Sequence, residues 1–224
     1  MRTLAIGDIH GCLTALEALL AWVEPQPDDL VITLGDYVDR GPNTRGVIDR
    51  LLKLDETHRL FPLRGNHEWM MLEAREGDFD FWFNFGGEET LESYGVFGRE
   101  DWAEKIPYEH WRFIERRCVE YHETDTHIFV HAGLDALKPL AEQDIYALCW
   151  QKLNPFAPPH VSGKTVICGH TAQPSGQPRD LGHLVCIDTW VYGDGWLTCL
   201  EPATGRFWQA DELGQKREGR LQRP

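Results

Sequence analysis

Five short blocks of the chain combine metal-type donors with flanking glycine. They are Gly7-Asp8-Ile9-His10-Gly11, Gly35-Asp36-Tyr37-Val38-Asp39-Arg40-Gly41, Gly65-Asn66-His67-Glu68, His131-Ala132-Gly133 and Gly169-His170-Thr171. Asp8, His10, Asp36, Asn66, His131 and His170 offer carboxylate, imidazole and amide donors, a set suited to borderline or hard divalent ions such as manganese, iron or zinc. Six ligands are too many for one ion. Two ions roughly 3.5 to 4 Å apart, the spacing of two-metal hydrolases, sharing one carboxylate and a water, use them economically. Any one of these residues could simply cap a helix or close a turn. The signal is the repetition of the pattern after five separate apolar runs.

Those runs are Thr3 to Ile6, Leu30 to Leu34, Leu60 to Leu63, Ile128 to Val130 and Val166 to Cys168. Read as strands of an open α/β sheet, they deliver their C-terminal ends to one edge, so donors far apart in sequence converge. Leu13, Leu16, Leu19, Leu20 and Val23 recur at helical spacing, and Pro25 and Pro27 end that helix. Val47, Ile48, Leu51, Leu52 and Leu54 form a second stripe, with Pro42 suited to its first turn. A third helix runs through Trp69, Met70 and Leu72. The β-α-β-α-β alternation predicts right-handed crossovers and a largely parallel first sheet. Residues 78 to 117 read as a helical excursion, with Phe79 to Phe85 packing a cap and a helix around Trp111 to Arg117. From Cys118 the chain is strand-rich, over Val119 to Glu123, Ile128 to Val130, Thr165 to Cys168, Leu184 to Ile187, Trp196 to Leu200 and Arg206 to Gln209. A second, mixed sheet is expected. One catalytic domain over residues 1–210 and a polar, mobile tail over 211–224 complete the reading.

Composition narrows the function classes. The 224 residues carry a formal charge of −14, which repels nucleic-acid backbone. A phosphorylated substrate would feel the same repulsion unless bound cations dominate the local field. No apolar run approaches the ~18 residues of a membrane span, and Met1 stands directly before a strand, so a soluble cytoplasmic protein is expected. Six cysteines are scattered without a CxxC pair, which favours reduced, buried thiols over disulfides or a thiolate zinc site.

The blocks GDIHG, GDYVDRG, RGNHE, HAG and GHT, in this order over residues 4 to about 210, resemble the signature of the PPP-type metallophosphoesterases, the serine/threonine protein phosphatases and their bacterial relatives. GGEETLESYG is similar to a segment of the bacterial members. The resemblance implies an α/β sandwich of two mixed β-sheets flanked by helices. It implies that Asp8 and His10 bind one metal, Asp36 bridges both, and Asn66, His131 and His170 bind the second. It also implies that His67 is a general acid paired with Asp39, and that Arg40 and Arg64 grip the phosphate. The implied activity is one-step hydrolysis of phosphate monoesters, most plainly phosphoserine and phosphothreonine in proteins, by a metal-bridging hydroxide with two divalent ions, manganese foremost. Hydrolysis of bis(nucleoside) tetraphosphates or other phosphodiesters is the alternative within the superfamily, but those tetraphosphatases typically carry Asp where this chain has Glu68.

The chain departs from the family pattern in two places. Relatives usually supply another phosphate-binding arginine between HAG and GHT, yet residues 131–170 contain none, and Lys152 is the nearest cationic candidate. Lysine offers charge without the bidentate fork. Trp190 stands where bacterial relatives often have glycine, and Trp190 and Tyr192 are candidates for a cleft wall. Cys168, two residues before His170, shares its face by strand alternation and is a weaker ligand candidate.

Overall fold

The computed structural model describes residues 1–222. Its first third alternates β1 (Thr3–Ile6), α1 (Leu13–Val23), β2 (Leu30–Thr33), α2 (Thr44–Thr57), β3 (Arg59–Pro62) and α3 (Asn66–Glu76). β1, β2 and β3 pair in parallel. Both faces of these strands are covered, which is why they read as continuous apolar runs without alternation. α2 begins after Pro42, with Asn43 as its cap accepting the Gly46 N–H at 2.9 Å. Pro42, expected in the first turn, instead stands one residue before this cap, outside the helix.

The excursion is built from short helices, α4 (Phe79–Trp82), α5 (Glu88–Tyr94), α6 (Trp102–Lys105) and α7 (Tyr108–Arg112). Two π-helical turns, Phe83–Gly87 and Phe113–Arg117, belong to it; the second continues α7 without a break, so the helix expected around Trp111 to Arg117 is present with a π-type last turn. Trp82 is fully buried and Phe79 and Phe83 pack against the core, whereas Phe81 and Phe85 are exposed.

The remaining elements are β4 (Tyr121–Glu123), β5 (His127–Val130), α8 (Ile145–Trp150), β6 (Thr165–Cys168), β7 (Arg179–Asp180), β8 (Leu184–Cys186), β9 (Asp188–Thr189), β10 (Trp196–Glu201), β11 (Arg206–Ala210) and β12 (Lys216–Arg220). One sheet has the order β12-β11-β10-β1-β2-β3, with β9 also on β10; the other is β4-β5-β6-β8-β7. Both are mixed, because β1 pairs antiparallel with β10, and β5, β6 and β8 run parallel between antiparallel edges. Ala5, Ile32, Leu34, Phe129, Ile167, Val185 and Leu200 fill the space between the sheets. α1, α2 and the excursion cover the outer face of the first sheet, and α8 covers that of the second. The architecture is an α/β sandwich of two mixed sheets flanked by helices.

The segment expected to trail off as a mobile tail instead extends the first sheet. β12 pairs with β11 from Lys216 to Arg220, and Arg217 lies over the Trp196 ring at 4.2 Å while its Nε donates to Gln209 Oε1 at 2.7 Å. Backbone pairing needs no apolar side chains, and alternating exposed charge is the usual composition of an edge strand. The last two residues of that predicted tail lie outside the described residues.

Candidate metal and phosphate site

The strand ends of both sheets meet at one cluster. His10, Asp36 and His67 bring donor atoms within 4.8 Å of one another, and so do Asp36, His131 and His170. Asp36 belongs to both triads. One carboxylate oxygen, Oδ2, lies 3.4 Å from His10 Nε2, and the other, Oδ1, lies 3.4 Å from His131 Nε2. A carboxylate facing two imidazoles with different oxygens has the arrangement of a bridging ligand.

Backbone carbonyls set the ring orientations. His10 Nδ1 is 2.9 Å from the Val38 carbonyl and His131 Nδ1 is 2.8 Å from the Leu34 carbonyl. A carbonyl only accepts, so each Nδ1 carries the proton and each Nε2 presents a lone pair, the form in which imidazole binds a metal. His170 is held the other way, its Nε2 donating to the Trp150 carbonyl at 3.2 Å and leaving Nδ1 free. Burial holds His10 well below the usual imidazole range and pushes His131 and His170 down to about 3, so all three are neutral at pH 7.

Whether these residues fit divalent cations can be decided from their lone pairs. The unprotonated His131 Nε2 sits 3.0 Å from Asn66 Oδ1 as well as facing Asp36 Oδ1, so three acceptors converge with no hydrogen between them. Asp8 Oδ1 is buried without a hydrogen-bond partner, while its Oδ2 accepts the His170 N–H at 2.9 Å. Burial, then Asp188 and Asp36, push the Asp8 carboxyl well above the usual range. Buried acceptors that only repel one another need positive charge between them. The set fits. Side chains larger than hydrogen do not fit beside it, since a Cβ at Gly65 would collide with Asp36 Oδ1 and one at Gly169 with Asp8 Oδ1.

Backbone strain concentrates here. Among the described residues, non-glycine residues with positive φ are His10, Asp36, Asp39, Arg40, His170, Trp190 and Glu24. All but Glu24, which closes α1, lie at or beside the cluster. Strained conformations persist where the surroundings over-determine them, typically at functional sites. The Glu68 carboxylate supplies part of that restraint by accepting backbone N–H groups from Asp36 (2.8 Å), Tyr37 (2.7 Å), Val38 (3.3 Å) and Gly65 (2.8 Å). One side chain thereby ties the second block to the third. Burial, then the nearby Asp36, push its carboxyl up to about 8.

His67 Nδ1 is 2.7 Å from Asp39 Oδ2, and both side chains are buried. Asp39 Oδ1 accepts from Trp82 Nε1 at 2.9 Å and from Thr90 Oγ1 at 2.8 Å. Burial pushes the Asp39 carboxyl well above its usual range, and the Thr90 and Trp82 donors pull it back. Burial pushes His67 down to about 4 against the opposing pull of Asp36. The excursion therefore contributes directly to the site through Trp82, read in the sequence as part of a packed cap, and Thr90, read only as part of the GGEETLESYG segment. Asp188 was also missed, although it follows the apolar run Leu184 to Ile187 as the other candidates follow theirs. Its buried carboxyl is pushed up to about 6, first by desolvation.

The two arginines part company. Arg40 Nη1 is 3.2 Å from His10 Nε2, so its guanidinium stands at the cluster. Arg64, expected to grip phosphate, instead spends its donors on the carbonyls of Ile114 (3.2 Å), Glu115 (2.7 Å) and Cys118 (3.1 Å) and on Glu120 Oε1 (3.3 Å). Orphan carbonyls at the end of the second π-helical turn need donors, and Arg64 meets that need. It is a structural tie. Lys152 is exposed, with Nζ 3.4 Å from the His170 carbonyl, and its charge depresses the pKa of His67, His131 and His170. Cys168 packs with Cys186, Leu148 and Val166 on the outer face of the second sheet and joins neither triad. All six cysteines are free and buried. No described helix is long and apolar enough to cross a membrane.

Comparison with known proteins agrees with this geometry. Residues 1–187 match the calcineurin-like phosphoesterase family model. The chain is 28% identical over 209 residues to serine/threonine-protein phosphatase 1 of Salmonella typhimurium, covering 86% of this chain and 88% of that protein. It is also 33% identical over 135 residues to a symmetrical bis(5'-nucleosyl)-tetraphosphatase of an Acidovorax species, covering 60% of this chain and 44% of that enzyme. Among solved structures, a cold-active protein-tyrosine phosphatase from Shewanella superposes with a TM-score of 0.71 at 17% identity over 97% of this chain and 80% of that one, a likeness of fold. With the family model spanning most of the chain and both donor triads assembled at the strand ends, this protein belongs to the calcineurin-like phosphoesterase family.

Proposed function

We propose that this phosphoesterase is a serine/threonine protein phosphatase that removes phosphate from phosphorylated proteins with two divalent ions, manganese foremost. The observation carrying the reading is that His67, paired with Asp39, belongs to a cluster of two triads that share Asp36, with the Arg40 guanidinium at the same cluster. Asp8, His10 and Asp36 would hold one ion, and Asp36, Asn66, His131 and His170 the other. When bound, the ions supply an activated water and neutralise phosphate charge. Arg40 offers a fork to the non-bridging phosphate oxygens. His67, oriented by Asp39, is neutral in the free site and must take up a proton as the phosphate enters; it then delivers that proton to the departing serine or threonine oxygen, which as a poor leaving group needs one. Asp39 in turn is held by Trp82 and Thr90.

The protein-phosphatase reading is supported by likeness along nearly the whole of the Salmonella phosphatase, whereas the match to the tetraphosphatase spans under half of that enzyme. Glu68 in the third block points the same way. Reduced, buried cysteines suit a cytoplasmic setting. The test is a panel on the manganese-loaded protein: phosphoserine, phosphothreonine and phosphotyrosine peptides against diadenosine tetraphosphate. Higher kcat/KM on the phosphoserine and phosphothreonine peptides is expected. Preference for the dinucleotide would replace this reading with the tetraphosphatase one.

Lys152 stands beside His170, in the stretch between HAG and GHT that lacks the arginine usual in the family. Lys152→Arg is expected to strengthen inhibition by inorganic phosphate by about 3- to 10-fold, because a bidentate fork replaces a point charge. An unchanged inhibition constant would remove Lys152 from the phosphate site.

A further inference from the structure

The loop after β9 places an aromatic ring on the phosphate-site arginine. Trp190 takes a left-handed conformation with φ of 65°, its N–H donating to Asp188 Oδ1 at 3.0 Å, and Gly193 N–H returns to the Trp190 carbonyl at 3.1 Å. This tight turn presents Tyr192 half-buried toward the cluster. Its ring meets His10 edge-on, with centroids 4.7 Å apart and planes at 82°, and Trp190 also packs edge-on against it at 6.2 Å and 87°. The Arg40 guanidinium carbon lies 4.6 Å over the Tyr192 centroid.

Arg40 has few other restraints. Among the described residues no carboxylate lies within ion-pair distance of its guanidinium, whose remaining polar contact is the His10 Nε2 lone pair. Its backbone is fixed, with φ of 69° and its N–H donating to the Gly86 carbonyl at 3.1 Å. Gly86 is itself at φ of 108° and packs so closely that a Cβ there would lie 2.8 Å from Arg40 Cγ. Backbone restraint alone leaves the long side chain several rotamers, each an entropy cost when phosphate binds. A carboxylate partner would fix the fork but compete with phosphate for its donors. An aromatic face fixes the guanidinium plane and leaves every N–H in that plane free.

We propose that Tyr192 is a positioning residue for phosphate recognition, its ring face holding the Arg40 fork beside the metal-ligand cluster. This rests on the phosphoesterase reading of the site. The ring, rather than the phenol hydroxyl, does the positioning, so phenylalanine suffices and an aliphatic side chain does not.

The experiment compares wild type, Tyr192→Phe, Tyr192→Leu, Arg40→Ala and the double variant Y192L/R40A, each manganese-loaded. It reads the inhibition constant of inorganic phosphate, kcat and KM on a phosphoserine peptide, and metal content per chain. Tyr192→Leu is expected to weaken phosphate inhibition about fivefold and to act mainly through KM, with metal content unchanged. Tyr192→Phe should restore inhibition to within about twofold, and in the R40A background the leucine substitution should add less than about twofold. Unchanged inhibition in Tyr192→Leu, an equal loss in Tyr192→Phe, or a full additional loss in the double variant would each overturn the proposal. Loss of metal from Tyr192→Leu would also overturn it, by assigning the ring to His10 instead. Failure of the wild-type protein to hydrolyse any phosphate ester would instead overturn the phosphoesterase reading, and direct phosphate titration would still report on Tyr192.

Discussion

His67→Asn should lower kcat on a phosphoserine peptide by about a thousandfold while the protein keeps its full complement of metal, because proton delivery to a leaving group is worth about 10²- to 10⁴-fold. The loss should be much smaller on an activated aryl phosphate, whose leaving group departs without a proton. Both parts of the expectation follow from geometry. His67 Nδ1 is committed to Asp39 at 2.7 Å, and its Nε2 lies 4.0 Å from Asp36 Oδ2, farther than the 3.4 Å of His10. The imidazole is thus the outlying member of the first donor triad and does not close on the shared carboxylate. Kinetics on the two substrates, with metal analysis of the purified variant, check the assignment. Metal lost together with activity would make His67 a ligand.

Asp36→Asn should be the most damaging single change. The asparagine keeps the shape of the side chain but removes the charge that both triads share, so affinity for both ions should fall together and kcat/KM should drop by at least about 10³-fold. Thermal melting gives an independent readout. In the wild type, buried Asp8, Asp36, Glu68 and Asp188 crowd one region, and burial with mutual repulsion pushes the Asp8, Glu68 and Asp188 carboxyls up. Cations that bind only the folded chain relieve that repulsion and raise Tm by mass action. The manganese-induced rise in Tm should be largely lost in Asp36→Asn. A variant retaining the full rise would show that Asp36 is not the shared ligand.

Much of this site is legible in the sequence because each donor block follows an apolar run directly. β1, β2, β5 and β6 end within three residues of Asp8, Asp36, His131 and His170, and a parallel strand can only deliver its following residue to the sheet edge. Asp188, at the end of the same kind of run, was legible by the same rule. The helices α1 and α2 were readable from their stripes, since a helix that covers a sheet must repeat its apolar face. β12 was not, because an edge strand is held by backbone hydrogen bonds that leave no trace in composition.

Residue types and order alone determined that six metal-type donors lie at strand ends, that an acid candidate and an arginine accompany them, and that two sheets carry them. Tertiary structure alone decided which charged groups face the site. Arg40 and Arg64 stand in similar sequence settings, each directly before a glycine in one of the donor blocks. Yet Arg64 is drawn to unpaired carbonyls after the second π-helical turn, and Arg40 lies between His10 and the Tyr192 ring. Likewise Trp82 and Thr90 reach Asp39 only because the excursion folds back over the second block. Strand ends are positioned by backbone periodicity, which sequence encodes locally; the partners of a long side chain depend on unsatisfied donors and acceptors that distant segments bring to it.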